Sequence, residues 1–210
     1  MKKKNKKKFK KIITIVFLSI LFIINTLLVI TGKCSNIDNF IYNFIIKNKC
    51  AKLTNLMKII TFFGGVVFII ILTIFVFILY LIKHKKIVAN SILLTIVIST
   101  LLNNIIKIFV RRSRPDVIMI SESSFSYPSG HAMASVTMYG LIIYLLIKSD
   151  LKNWQKIIYS LFLLFLIIGI CISRIYLGAH YFTDIFGGVL LSLILLILFS
   201  IIDDNKNIIE

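Results

Sequence analysis

The sequence has few cysteines, and they form no pattern that would make a site. The three cysteines are Cys34, Cys50 and Cys171. None belongs to a CxxC pair or a Cys/His cluster, which excludes the usual zinc-binding spacings. Whether Cys34 pairs with Cys50 stays open, because an isolated pair without a framework spacing is more often two free thiols.

Acidic residues are also scarce. The chain has 8 Asp and Glu against 25 Lys and Arg, which gives a formal net charge of +17. Such a balance can indicate nucleic-acid binding. Here many lysines flank apolar segments and no soluble basic domain is visible, so an anionic lipid surface is the better interpretation and no nucleic-acid partner is expected.

Internal repeats, long linkers and alternating apolar patterns are missing as well. What the chain has instead is long apolar runs, with 59% hydrophobic residues and a mean hydropathy of +0.97. Continuous runs of about 20 residues predict membrane helices and argue against a β-barrel. We therefore predict one all-α membrane domain over residues 1–210, because backbone polar groups in lipid must be satisfied internally.

The first apolar run, from Ile12 to about Thr31, follows a lysine-rich segment at residues 2–11. It is longer than the 7–15 residues of a signal-peptide core, and Lys33 directly before Cys34 spoils a cleavage site. Residues 1–35 are thus predicted to hold an uncleaved first span. Residues 36–58 show apolar positions at helical spacing with polar residues between them, which predicts an interfacial helix between spans 1 and 2. It would be either a packed connector or a platform that receives lipid.

Five further spans bring the predicted bundle to six, within a catalytic core at residues 59–202. The span that contains Ser135 and Thr137 is short and is the weakest of them. The predicted spans are 62–82, 87–106, 132–147, 157–172 and 185–202.

Lysine placement predicts the topology. With a cytoplasmic N-terminus, the inside segments hold 15 of the 25 Lys and Arg and the outside segments hold 10. The positive-inside rule therefore favours cytoplasmic termini. Two polar motifs follow the third span, and a third motif follows the fifth span. Because an even number of membrane crossings separates these positions, all three motifs lie on the same face of the membrane.

The first motif is Lys107 followed after six residues by Arg114-Pro115. If the third helix continues, Lys107, Arg111 and Arg114 lie on one face at i, i+4 and i+7. Such cations suit a phosphate, although most clusters of this kind are side chains that reach the headgroups. Asn103, one turn earlier, is expected to pack between helices.

The other two motifs bring a turn, two histidines and a carboxylate. Pro128-Ser129-Gly130-His131 opens an apolar run, where a tight turn into a helix exposes N–H groups that bind anions. In the stretch from Ser173-Arg174 to His180 and Asp184, the last two are four residues apart and would share a helix face. The Asp would hold Nδ1–H of His180 and leave Nε2 free to attack phosphorus.

Together these residues resemble the type 2 phosphatidic acid phosphatase (PAP2) superfamily of membrane lipid phosphatases, whose signature is KxxxxxxRP, PSGH and SRxxxxxHxxxD. Every fixed position is matched, over roughly residues 60–202, and Arg112 sits where many members carry a further Arg. The resemblance implies a phosphohistidine at His180 oriented by Asp184, with His131 protonating the leaving group. Phosphate-binding residues would be Lys107, Arg114, Ser129, Gly130 and Arg174. It also implies no metal, no cofactor and a site on the outer face.

The substrate is less determined than the reaction. The resemblance implies a lipid phosphate, and the composition, rich in Lys, Ile and Asn, favours a bacterial source with phosphatidylglycerophosphate or undecaprenyl pyrophosphate as the substrate. Two other functions stay open at this point. One is a non-enzymatic lipid carrier or headgroup binder, and the other is a metallohydrolase that uses His131, His180 and Asp184 as ligands.

Overall fold

The structure, a computed structural model, describes residues 2–47, 49–115, 119–120, 122–206 and 209. These residues form α-helices, turns and loops, with no β-strand among them. The described helices are α1 (Lys2–Ile30), α2 (Ser35–Ile46), α3 (Ala51–Phe62), α4 (Val66–Ile82), α5 (Lys86–Val110), α6 (Gly130–Lys148), α7 (Asn153–Tyr176) and α8 (Phe182–Lys206).

The predicted multi-span helical architecture is confirmed. Five helices, α1, α5, α6, α7 and α8, are long and apolar enough to cross a membrane. The pair α3–α4 passes the same test together, with a bend of 41° at its break. The span predicted at 62–82 therefore begins only at Val66, because Gly65 adopts an extended backbone (φ −69°, ψ 152°) that a helix cannot continue.

The segment predicted as an interfacial helix contains two helices rather than one. α2 ends at Ile46, and Cys50 before α3 is extended (φ −148°, ψ 163°). On α2, Phe40 and Phe44 are exposed, whereas Asp38 is buried. α2 packs against α7 and α8, and α3 packs against α7. The location of this segment at a membrane surface stays a prediction.

α6 occupies the centre of the bundle, where it contacts α4, α5, α7 and α8. This placement explains why its sequence is the least apolar of the predicted spans. Thr137 on α6 is fully buried and contacts Ser99 of α5 at 3.2 Å, and it donates to Ser192 of α8 at 3.1 Å. Hydroxyl groups between helices stabilise a bundle in lipid, where an unpaired polar group would be costly.

Charged contacts tie together the end of the bundle that holds the α6 C-terminus. Asp203 of α8 accepts a hydrogen bond from Tyr144 at 2.7 Å and lies 3.5 Å from Lys148. Its neighbour Asp204 accepts from Lys11 of α1 at 2.7 Å. These contacts hold α1, α6 and α8 at fixed relative positions at that end.

At the opposite end, α6 and α8 approach closely where the PSGH turn enters α6. Gly188 makes this possible, since a Cβ there would lie 2.9 Å from Ser129 O and 3.3 Å from Met133 N. The Ser129 N–H donates to the Asp184 carbonyl at 3.0 Å. The start of α6 is thus attached directly to the first turn of α8, and the candidate site lies at this junction.

Candidate active site

A cavity of about 710 Å³ is lined by α4, α5, the N-terminal end of α6 and the loops that precede α6 and α8. Of the residues predicted from the sequence, five line the cavity directly: Lys107, Arg114, Gly130, His131 and His180. Ser129, Arg174 and Asp184 are buried around them.

His180 lies between α7 and α8 rather than on a helix, so the i, i+4 helix face expected for His180 and Asp184 is replaced by a loop and the first turn of α8. Its Nε2 is 3.3 Å from Nη1 of Arg114. A guanidinium can only donate hydrogen bonds, so Nε2 must accept and the ring proton belongs on Nδ1. That tautomer has its lone pair on Nε2, the nitrogen beside Arg114.

Asp184 lies behind the imidazole. Its Oδ2 is 3.5 Å from His180 Nδ1 and accepts a hydrogen bond from the Tyr181 N–H at 2.9 Å. Ser126 donates a close hydrogen bond to the same oxygen and also lies 3.4 Å from Nδ1. The carboxylate is therefore held in place from several sides, which restricts the orientation of the ring that it faces.

His180 is 2% exposed. Burial lowers the pKa of His180 to about 4, against the raising effect of the Asp184 carboxylate, and the nearby Arg174 and Arg114 lower it further. The imidazole is therefore neutral at pH 7, which is the form that a nucleophile requires.

Arg114 lines the cavity, and each nitrogen of its guanidinium group has an acceptor nearby. Nε donates to Ser124 O at 2.7 Å, Nη1 to Ala179 O at 2.7 Å, and Nη2 to Glu122 at 3.2 Å. Burial lowers the pKa of Arg114, although Glu122 and Asp184 oppose this. The side chain remains charged, because an arginine does not lose its proton in proteins.

Arg174 is 1% exposed and shares Glu122 with Arg114. Nη2 donates a close hydrogen bond to Glu122 Oε1, and Nη1 donates to Thr61 of α3 at 3.0 Å. Its Nε is buried without a hydrogen-bond partner among the described residues. Burial raises the pKa of Glu122, but Arg174 and Arg114 outweigh it, so the pKa lies below its usual range and Glu122 is a carboxylate.

The continuous helix face predicted for Lys107, Arg111 and Arg114 was wrong. α5 ends at Val110, and Arg111 adopts a left-handed conformation (φ 49°) that stops the helix. Arg111 then turns back to donate to Ile108 O at 2.9 Å and does not line the cavity. Lys107 does line it and donates a close hydrogen bond to Phe125 O.

The PSGH turn has the expected role as a helix entry. Ser129 is the N-cap of α6, where its Oγ accepts from the Ala132 N–H at 3.4 Å. Its O–H donor is not used in that contact, so the predicted phosphate contact stays a prediction. Gly130 and His131 are the first residues of α6 and line the cavity. Asn103 donates to the Pro128 carbonyl at 3.1 Å, so it supports this turn rather than only packing between helices.

Four residues at the site were assigned no role from the sequence, although Arg112 was noted as a further Arg of the family pattern. Ser126 and Glu122 precede the PSGH turn, Arg112 lies between the first cations, and Asp38 is on α2. Arg112 donates to Asp184 at 2.7 Å and to Asp38 at 2.6 Å. The scarcity of acidic residues was the available signal, since Asp38 and Glu122 are two of only 8 in the chain.

The site is thus a buried cluster of cations around a neutral histidine and its carboxylate, at one end of a membrane helix bundle. A family model for the PAP2 superfamily matches residues 88–208. The chain belongs to this superfamily.

Particular relatives agree with this assignment. Phosphatidylglycerophosphatase B of Bacillus subtilis (strain 168) is 38% identical over 122 residues, which are 55% of this chain and 59% of the relative. The alignment thus spans about three fifths of that curated relative.

Two solved structures share the fold. One is described as the first transmembrane PAP2 type phosphatidylglycerolphosphate phosphatase from Bacillus subtilis. It matches with a TM-score of 0.85 and 29% identity over 92% of this chain and 97% of that one. Aquifex aeolicus LpxE matches with a TM-score of 0.62 and 22% identity, over 76% of this chain and 92% of its own.

Proposed function

We propose that the protein is a membrane lipid phosphatase that removes the terminal phosphate of a lipid phosphate or pyrophosphate through a phosphohistidine. The observation that carries the proposal is the orientation of His180. Its Nε2 faces the Arg114 guanidinium, and its Nδ1 faces Asp184. A phosphate held by Arg114 lies next to a neutral, oriented nucleophile.

The steps follow from this geometry. Nε2 of His180 forms a bond to phosphorus as the bond from phosphorus to the lipid oxygen breaks, and His131, as the imidazolium, gives that oxygen a proton and becomes neutral. A water molecule then gives a proton to His131 and attacks phosphorus as the bond from phosphorus to Nε2 breaks, which releases phosphate and restores the His131 imidazolium and the neutral His180 imidazole. Asp184 stabilises the positive charge that develops on His180.

The phosphate oxygens are bound by cations and N–H groups. Lys107, Arg114 and Arg174 supply the charge, and the N-terminal end of α6 at Gly130 supplies N–H groups. Glu122 lies between the two arginines, so an incoming phosphate takes over contacts that this carboxylate makes. Ser129 adds a hydroxyl donor at the same turn.

The shape of the cavity supports a lipid substrate. From the polar end it continues along an apolar wall of α4 and α5, which includes Ile69, Ile70, Ile74 and Leu93. A headgroup bound at His180 thus has its chains beside α4 and α5. Phosphatidylglycerophosphate is the first substrate to test, because relatives of this chain bear its name; undecaprenyl pyrophosphate is the second.

The proposed location is a cell membrane, with cytoplasmic termini and the site on the outer face. The distribution of Lys and Arg supports this orientation. All the motif-bearing helix ends lie at the same end of the bundle, as that topology requires.

The test is phosphate release from both lipids, from phosphatidate and from a soluble phosphate ester, in detergent with EDTA. His180→Ala should lose at least about 10³-fold in kcat, and His131→Ala about 10²–10⁴-fold. His84→Asn is the matched control, because His84 lies in the α4–α5 turn at the other end and asparagine tolerates its positive φ of 58°. Activity that survives in His180→Ala, or that EDTA abolishes, would contradict the mechanism.

A further inference from the structure

An acidic residue of α2 lies directly behind the His180–Asp184 pair. Asp38 is 1% exposed. Its Oδ2 accepts a hydrogen bond from Arg112 Nη2 at 2.6 Å, and Nη1 of the same guanidinium donates to Asp184 Oδ1 at 2.7 Å. Charged hydrogen bonds therefore connect Asp38 to Arg112 and Asp184, and through Asp184 to the imidazole.

Asp38 is itself fixed to the helix that carries Asp184. Its Oδ1 accepts from the Thr183 N–H at 3.0 Å, and its Oδ2 accepts from the Thr183 hydroxyl at 2.9 Å. A carboxylate that accepts N–H groups in the first turn of a helix interacts favourably with the helix dipole. α2 is thereby attached to α8 one residue before Asp184.

Arg112 has little freedom between the two carboxylates. Its Nη1 also donates to Thr183 Oγ1 at 2.7 Å, and its guanidinium carbon lies 4.2 Å from the centre of the Tyr181 ring. A planar fork used on both sides transmits orientation as well as charge, which a lysine cannot do. With Asp38 removed, the nitrogen that faces α2 keeps only the Cys34 sulfur, at 3.4 Å, as an acceptor, so that side of the fork is held less firmly.

From these contacts we propose that Asp38 is a positioning residue of the catalytic pair. Through Arg112 it sets the plane of the Asp184 carboxylate and hence the direction in which His180 Nε2 points. Asp38 touches no substrate atom. The inference rests on the proposed function, since it concerns the same site.

The central variant is Asp38→Asn, which keeps the size of the side chain and removes its charge. We expect kcat to fall by between about 10-fold and 100-fold because the nucleophile is misdirected, with KM changed by less than about threefold. Asp203→Asn is the matched control. Like Asp38, Asp203 is buried, accepts hydrogen bonds from a hydroxyl (Tyr144) and a backbone N–H, and lies beside a cation (Lys148), but at the other end of α8.

A double-mutant cycle separates positioning from a merely structural role. In an Asp184→Asn background there is no carboxylate for Arg112 to orient, so Asp38→Asn should add less than about twofold to the loss. Asp203→Asn should leave kcat within about twofold of its parent in either background. Equal losses from Asp38→Asn in both backgrounds, or an effect of Asp38→Asn no larger than that of Asp203→Asn, would overturn the proposal.

If Asp38→Asn does not purify as a folded protein, the variant Arg112→Lys tests the positioning role instead. The lysine keeps the charge but lacks the planar pair of nitrogens that faces the two carboxylates, so kcat should fall and the loss should vanish in the Asp184→Asn background. A loss that persists there overturns the proposal. Wild-type protein that releases no phosphate from any lipid overturns the proposed function and this inference with it, whereas active wild-type protein with unaffected variants overturns only the inference.

Discussion

His180 has different partners on its two ring nitrogens, and this asymmetry determines its chemistry. Arg114 faces Nε2, whereas Asp184 and Ser126 face Nδ1. The ring stays neutral because burial disfavours its protonated form, and this effect exceeds the opposing one of the Asp184 carboxylate. The nearby Arg174 and Arg114, which would hold a phosphate, add to it and so help to keep the nucleophile in its reactive state.

The pKa of His180 gives a direct prediction. A base with a pKa of about 4 is neutral above that pH, so the nucleophile should be present from pH 5 upward and be lost as the pH falls through about 4. The variant His84→Asn/His131→Asn leaves one histidine, whose carbon-13 NMR signal can be followed in detergent. Titration near 6.5, the ordinary value for histidine, would contradict the burial effect.

A second prediction for a single side chain concerns Glu122. Its carboxylate neutralises Arg114 and Arg174, so it competes with any anion for them. In Glu122→Gln the two cations are left for the ligand, and vanadate, which mimics five-coordinate phosphorus, should inhibit with a Ki about 10-fold lower.

Glu122→Asp, which keeps the charge, is the control for this prediction. A Ki that rises in Glu122→Gln would show that the carboxylate orients the arginines more than it competes with the ligand.

At the scale of elements, the break in one helix and the close approach of two others build the site. The α3–α4 break brings Gly64 against α6 and α7, where a Cβ would lie 3.5 Å from the His131 ring. Thr61, at the end of α3, supports Arg174. A straight helix through residues 51–82 would carry these contacts away from the cavity.

The contact between α6 and α8 can be tested at Gly188. A Cβ there meets backbone atoms of Ser129 and Met133, which cannot move aside as a side chain would. Gly188→Ala should therefore separate the two helices, lower kcat by about 10-fold or more through the displaced His131 and His180, and destabilise the fold by about 1–3 kcal/mol.

Gly169→Ala on α7 is the control, because its Cβ would meet only the side chain of Ile60, at 3.3 Å. Thermal unfolding in detergent and kcat measure the two effects. Equal behaviour of the two alanine variants would contradict the role of the close approach.

The whole molecule has a polar reaction centre at one end and charged contacts of α1, α6 and α8 at the other. The outer surface between them is rich in exposed large apolar side chains, such as Phe75 on α4 and Phe165 on α7, as expected for lipid contact. This division makes the orientation in the membrane testable with the cysteines that the chain already has.

Cys50 is exposed and lies at the same end as the site, since the Tyr176 hydroxyl contacts its carbonyl at 3.5 Å. In intact cells a membrane-impermeant maleimide should label Cys50 from outside, because the site end is proposed to face outward. Cys34, which is buried, should stay unlabelled. In a Cys50→Ser background, Asp150→Cys in the exposed α6–α7 turn should react only after permeabilisation. The reverse pattern would invert the proposed topology.

Local patterns in the sequence were enough for the helices and for most of the cavity. Long apolar runs predict spans because only helices satisfy their own backbone in lipid. An even number of spans separates the motifs, and this alone places Lys107, Arg114, His131 and His180 at the same end of the bundle. The turn at Pro128 could also be predicted, because proline and glycine determine the backbone conformation over only a few residues.

Features that depend on contacts between distant segments could not be predicted from the sequence. Nothing near Asp38 marks it as a partner of Arg112, since α2 docks on α8 only in the folded bundle. The stop at Arg111 and the break at Gly65 likewise depend on backbone angles that packing selects. The helices, the end of the bundle where the motifs meet and the chemical groups there all follow from patterns along the chain. Which carboxylate faces which cation follows from the folded bundle alone, because a charge pair is formed by proximity in space and leaves no spacing along the chain.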